Sequence, residues 1–94
     1  QGRSFSAVFC ANDEMAIGAM RALAARGLRV PEDVSVVGFD DIPAAAQAVP
    51  PLSTVAVDKE RLGRLGVELV MRGDELPRES TLEVELVVRA SSAA

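Results

Sequence analysis

The 94 residues make at most one small domain, which buries proportionally less of its surface than a larger one would. With 14 acids, 10 bases, no histidine and no Lys/Arg cluster, the net charge is −4, and the electrostatic footprint of nucleic-acid binding is missing from this segment. A lone cysteine, Cys10, and the lack of His also remove the usual ligands of a structural zinc site and the commonest general base.

The apolar fraction is 49%, drawn largely from alanine and valine with no Tyr or Trp, so the core is fine-grained and shallow. Such a chain is expected to pack against something else. Cys10 reads as a small core residue in a reducing, cytoplasmic compartment. No apolar run is long enough to span a membrane, and no signal-peptide pattern is present. The opening Gln1-Gly2-Arg3-Ser4, without methionine, reads as a loop or a cut edge, and a fragment is expected.

Residues 6–11 form a short apolar run of strand length, rich in Val and Phe. Asn12 then offers a helix cap, and Asp13 and Glu14 place negative charge where the helix dipole favours it. The spacing predicts a helix over 13–26 that stops at Gly27. Ala16, Met20 and Leu23 form one apolar line, which Ile17, Gly18, Ala19 and Ala24 widen around the cylinder. So wide a stripe implies either two buried faces, one against a partner, or burial within a larger single core.

Pro31 bars helix in the 28–33 connector, and 34–39 reads as a strand covered on both faces, central and parallel. Strand, helix, strand at this spacing is a βαβ unit. Residues 43–48 allow a single helical turn, ended by Pro50-Pro51, and 53–57 a third strand. Asp58 caps a second long helix over 59–72, ending at Gly73, in which Gly63 and Gly66 permit close approach of a neighbour. Residues 74–80 read as a polar loop. Residues 81–89 read as a half-exposed edge strand alternating Leu82, Val84, Leu86 and Val88 against Glu83, Glu85 and Arg89, and 90–94 as a loose tail.

Two strands therefore end in hydrogen-bonding side chains, one at Asn12-Asp13-Glu14 and the other at Asp40-Asp41. In an open α/β sheet ligands sit at the carboxyl ends of strands, so the two clusters point to one crevice. Paired acids can share a proton, ligate Mg²⁺ or accept hydrogen bonds from ligand hydroxyls. The plain alternative is one capping acid and one solvated acid. Binding is favoured over catalysis, since no histidine or lysine cluster is on hand to complete an active site. A phosphoacceptor reading would want a lysine at a neighbouring strand end, and Lys59 is not obviously placed there. Asn12 and Asp13 divide between capping and ligand contact.

Taken in order, Phe9-Cys10-Ala11-Asn12-Asp13-Glu14-Met15-Ala16, the run from Gly27 to Asp41, and Pro50-Pro51-Leu52-Ser53-Thr54-Val55 resemble the lactose-repressor (LacI/GalR) family of bacterial transcription regulators. Leu62-Gly63 and the run from Glu85 to Ser91 fit the closing segment of the same family. The likeness covers almost the whole chain. It implies an α/β fold: a fragment of a two-lobed, periplasmic-binding-protein-like (type I) parallel-sheet core built of βαβ units. Residues 1–52 would lie mainly in the C-terminal lobe, 53–80 would cross to the N-terminal lobe, and 81–94 would return. The DNA-binding helix-turn-helix would lie outside this chain.

By the same resemblance, Asn12 and Asp40 match ligand-contacting positions, with Asp41 beside them, and Ile17, Ala44 and Ala48 match a dimer interface. Val57 stands where the family often has a ligand-facing glutamine. The implied function is effector binding and dimerisation in a cytoplasmic regulator. The effector would be a small polar ligand such as a sugar, and no enzymatic activity, metal or cofactor is implied. Operator DNA would be a partner only through the absent domain. The rivals are an exported sugar-binding transport protein of the same fold and a Mg²⁺-dependent enzyme fragment using Asp40 and Asp41.

Overall fold

The computed structural model describes residues 6–72 and 81–92. The elements run β1 (Ala7–Phe9), α1 (Asp13–Ala25), β2 (Ser35–Asp40), α2 (Pro43–Gln47), β3 (Ser53–Ala56), α3 (Lys59–Arg72) and β4 (Glu85–Val87). They form one four-stranded sheet in the order β1-β2-β3-β4. β2 is central and parallel to both neighbours, with Val8 opposite Val36 and Gly38 opposite Thr54, as its apolar run predicts. β4 returns antiparallel at the edge, with Val55 opposite Leu86.

The pleat sorts each strand into two faces. Val8, Cys10, Val34, Val36 and Leu52 meet Ala16, Met20 and Leu23 of α1 and Ala45 of α2, and these side chains make the core. Burial pushes the Cys10 thiol above its ordinary range, in keeping with a packing role. The opposite face carries Phe9, Val37, Phe39, Val55 and Leu86, with Phe9 66% and Leu86 60% exposed. The expectation that β2 is covered on both faces is therefore corrected. α1 and α2 pack on the Val36 face, and Val37 and Phe39 stay half-buried.

α1 begins and ends where its signals predict. Asn12 Oδ1 accepts from the Met15 amide at 2.9 Å, and Gly27 takes φ 79° just past Arg26. In the connector, Arg29 donates to Asp33 from its backbone N–H (2.7 Å) and from its guanidinium (3.1 and 3.2 Å). Those bonds hold the Asp33 carboxyl below the ordinary aspartate range.

Two expectations need correction at the end of the chain. Residues 90–92 are not a loose tail, for Ser91 is fully buried. Its N–H donates to the Pro51 carbonyl and its carbonyl accepts from the Val36 amide. Its hydroxyl donates to the Val36 carbonyl (2.6 Å) and accepts from the Ser53 amide (2.8 Å). Backbone groups at the start of β2 and β3 need partners once buried, and a small serine supplies them without bulk. The strand expected over 81–89 is confined to Glu85–Val87, and there its parity is reversed. Val87, opposite Thr54, lies on the helix side, whereas Leu86 and Val88 lie on the open face and are 60% and 64% exposed. The expectations for Gly73, for 74–80 and for the ends 1–5 and 93–94 lie outside the described residues.

α3 follows its sequence signals over its whole length, with Asp58 Oδ1 accepting from the Arg61 amide at 3.1 Å. None of its residues is buried, and Leu62, Val67, Val70 and Met71 are exposed. A Cβ added at Gly63 or Gly66 would meet nothing within 4 Å, so among the described residues no neighbour uses the close approach these glycines allow.

Candidate functional site

The carboxyl ends of β1, β2 and β3 converge because the three strands are parallel and in register. Asn12 leaves β1, Asp40 and Asp41 leave β2, and Asp58 and Lys59 follow β3. The sheet thus brings the two clusters anticipated from the sequence to adjacent strand ends. It also adds a cation that the sequence reading left unplaced.

Asp13 organises this end of the sheet. It is the first residue of α1 and has no exposed surface, and its two carboxylate oxygens serve different elements. Oδ1 accepts from the Thr54 hydroxyl of β3 at 2.6 Å, and Oδ2 accepts from the Ile42 amide after β2 at 2.8 Å. The Thr54 oxygen in turn accepts from the Asp41 amide at 3.3 Å. A buried carboxylate needs such donors, and its place at a helix N-terminus adds the favourable dipole. Capping and bracing are thus split between neighbours: Asn12 caps, and Asp13 braces.

Gly38 makes room for that brace, because a Cβ there would collide with the Asp13 carboxylate and crowd Leu52 and Ala16. Beyond it the chain turns through two non-glycine residues at positive φ, Asp40 at 121° and Asp41 at 57°. Such conformations cost on the order of 1–3 kcal/mol each and persist where the surroundings over-determine them. Here the bonds to the Asp41 and Ile42 amides supply that constraint.

The two acids have different partners. Asp41 Oδ1 accepts from Arg89 Nη1 at 3.0 Å, and the same nitrogen donates to the Leu52 carbonyl at 2.9 Å. Both side chains of this pair are largely shielded, so it ties the turn to the segment after β4. Asp40 is more open. Its carbonyl accepts from Lys59 Nζ at 2.7 Å, and its carboxylate Oδ1 lies 3.5 Å from that nitrogen. Each acid thus faces its own cation, and no cluster of three metal-ligating side chains occurs among the described residues. Asn12 commits one oxygen lone pair to its cap, and its further hydrogen-bonding capacity is the second lone pair and the Nδ2 donor.

Arg89, Thr54 and Lys59 are the residues the sequence reading missed. A Thr in a buried strand signals a partner, since its hydroxyl must be satisfied. Arg89 and Lys59 carried no such local signal, because their partners lie 48 and 19 residues away.

Of the anticipated interface residues, Ile17 and Ala48 are half-buried and line one shallow groove between α1 and α2 with Met20 and Val49. Ala44 sits exposed on α2. Ile17 and Ala48 pack partly on the core, so only part of the wide α1 stripe is left uncovered.

Residues 3–92 match the family model of the periplasmic binding protein-like domain. Among curated proteins, the chain is 42% identical over 93 residues to the HTH-type transcriptional repressor PurR of Haemophilus influenzae (strain PittEE). That match covers 92% of this chain and 28% of the relative. It is 48% identical over 90 residues to the probable HTH-type transcriptional repressor ExuR of Bacillus subtilis (strain 168), covering 92% of this chain and 27% of that one. The chain therefore spans under a third of the length of these relatives. Among solved structures, it superposes on the lac repressor dimer bound to operator and the anti-inducer ONPF with a TM-score of 0.88 at 40% identity, covering 99% of this chain and 34% of that one. The transcriptional regulator CelR–cellobiose complex gives 0.81 at 42% identity, covering 95% and 28%. Sheet order, strand-end chemistry and these similarities agree: the chain belongs to the periplasmic binding protein-like family, in the branch represented by the LacI/GalR regulators.

Proposed function

We propose that this chain supplies strand ends of the effector site and part of the dimer surface of a LacI-type transcription regulator working in the cytoplasm, as a binding module and not as an enzyme. The observation that carries the reading is the pairing of Asn12 and the strained Asp40-Asp41 turn at the ends of adjacent parallel strands. The similarity to the CelR–cellobiose complex supports a small polar, sugar-like effector. Asp40 accepts from ligand hydroxyls and Asn12 donates through its amide. Asp41, one oxygen held by Arg89, offers the other. Ile17, Ala44 and Ala48 form part of the surface between two copies. Operator DNA is read by a domain outside these residues, and effector binding shifts the population of lobe arrangements.

Within this proposal residues 1–52 lie mainly in the C-terminal lobe, 53–80 are the segment that crosses to the N-terminal lobe, and 81–94 return. The pairing of β3 with β2 and the lack of buried residues in α3 support a crossing that leaves the sheet after Ala56. The test is Asp40→Ala in the full-length parent protein, with operator release measured against effector concentration. The response should weaken by about tenfold or more, the scale of losing a charge-assisted hydrogen bond, with operator affinity retained. An unchanged response would remove Asp40 from the site.

A further inference from the structure

Lys59 occupies the first position of α3, where a cation opposes the helix dipole and is ordinarily disfavoured. Its surroundings account for it. Nζ donates to the Asp40 carbonyl at 2.7 Å and lies 3.5 Å from the Asp40 carboxylate, so the ammonium is seated on a strand end in another part of the fold. Asp40 itself is held at φ 121° by the neighbouring bonds to Asp13 and Thr54, which makes it a fixed anchor. α3 has no buried residue that would fix its first turn by packing.

We propose that Lys59 is a positioning residue that couples the Asp40 carboxylate to α3. While Nζ is seated on Asp40, the first turn of α3 is held against the sheet. A hydroxyl that donates to the Asp40 carboxylate spreads the charge that attracts Nζ, so it weakens the ion-pair part of the tether, leaves the bond to the Asp40 carbonyl, and loosens the turn. The link to effector binding rests on Asp40 being the ligand contact; the coupling between Asp40, Lys59 and α3 does not.

The experiment is amide hydrogen exchange on the ¹⁵N-labelled chain, read at Arg61 and Leu62, whose N–H groups bond to the Asp58 side chain and carbonyl. The variants are Lys59→Met, Lys59→Arg, Asp40→Asn and the double variant Asp40→Asn/Lys59→Met. Met15 and Ala16, bonded to Asn12 at the start of α1, are the internal control for an intact fold. Lys59→Met should speed exchange at Arg61 and Leu62 by about two- to fivefold, the scale of an exposed ion pair, and Lys59→Arg should restore most of the protection. Asp40→Asn should act in the same direction by a smaller factor, since its carbonyl contact remains, and should add nothing once Lys59 is gone.

The sign is diagnostic. If Lys59 were merely a helix residue, removing a cation from the N-terminal turn would stabilise the helix and slow exchange. Slower or unchanged exchange in Lys59→Met, or additive effects in the double variant, would overturn the coupling. A non-additive cycle combined with a normal effector response of Asp40→Ala in the parent would keep the coupling and discard the effector reading. The two proposals therefore fail separately.

Discussion

Gly38 is the residue on which most of the candidate site depends, although it has no functional group. It lets the Asp13 carboxylate lie against β2 and reach both Thr54 and Ile42. Gly38→Ala should therefore cost about 1–3 kcal/mol through overpacking and displacement of the brace, read as a lower urea midpoint with unchanged slope. A midpoint equal to that of the wild type would mean that the turn does not need Asp13 where the structure puts it. At the surface, Asp33 gives a pH signature. Its carboxyl is held low by Arg29, so the folded-state pKa lies below the unfolded one. The stabilisation is fully present above the unfolded value and is lost as pH falls through the folded value. Asp33→Asn should flatten that acid-side decline between about pH 5 and pH 2, and an unchanged pH profile would show that the pair contributes nothing.

Elements were legible in the sequence where their signals are local. Asn12 and Gly27 bound α1, Asp58 opens α3, and the apolar run at 34–39 marks the central parallel strand. What the sequence did not show depends on which elements meet. The parity of β4 is readable only once the covered face of the sheet is known, because one residue of shift exchanges the two faces. Similarly, Ser91 looks like one of several small residues in a tail until β2 and β3 supply a carbonyl and an amide to bond. Within the site, Asn12, Asp40 and Asp41 stood out through strand-end position, whereas Lys59, Arg89 and the bracing role of Asp13 needed long-range partners. Ser91→Ala leaves the Val36 carbonyl and the Ser53 amide without their side-chain partner and should cost about 2–4 kcal/mol. Ser92→Ala, which removes one part-buried hydroxyl contact, should cost about 1 kcal/mol. Comparing their denaturation midpoints tests whether the closing segment is integral; equal, near-zero effects would return it to the status of a tail.

For the molecule as a whole, the dimensions are 54 × 28 × 22 Å with a radius of gyration of 16.8 Å, against about 12 Å for a compact domain of this length. The elongation goes with an open sheet face and with α3, surfaces that a larger assembly would cover. The groove containing Ile17 and Ala48 is where the proposed dimer contact lies. Ile17→Asp in the parent protein should lower its sedimentation coefficient from dimer to monomer at micromolar concentration, and an unaltered dimer would place the interface elsewhere. The isolation of α3 also has a thermal consequence. A helix of 14 residues that buries none of them draws little from the cooperative core, and helices of that length are marginal on their own in water. In this chain it should lose ellipticity gradually on warming, as a peptide does, ahead of the sharp transition of the sheet with α1. A single melting temperature would then describe only the sheet and α1.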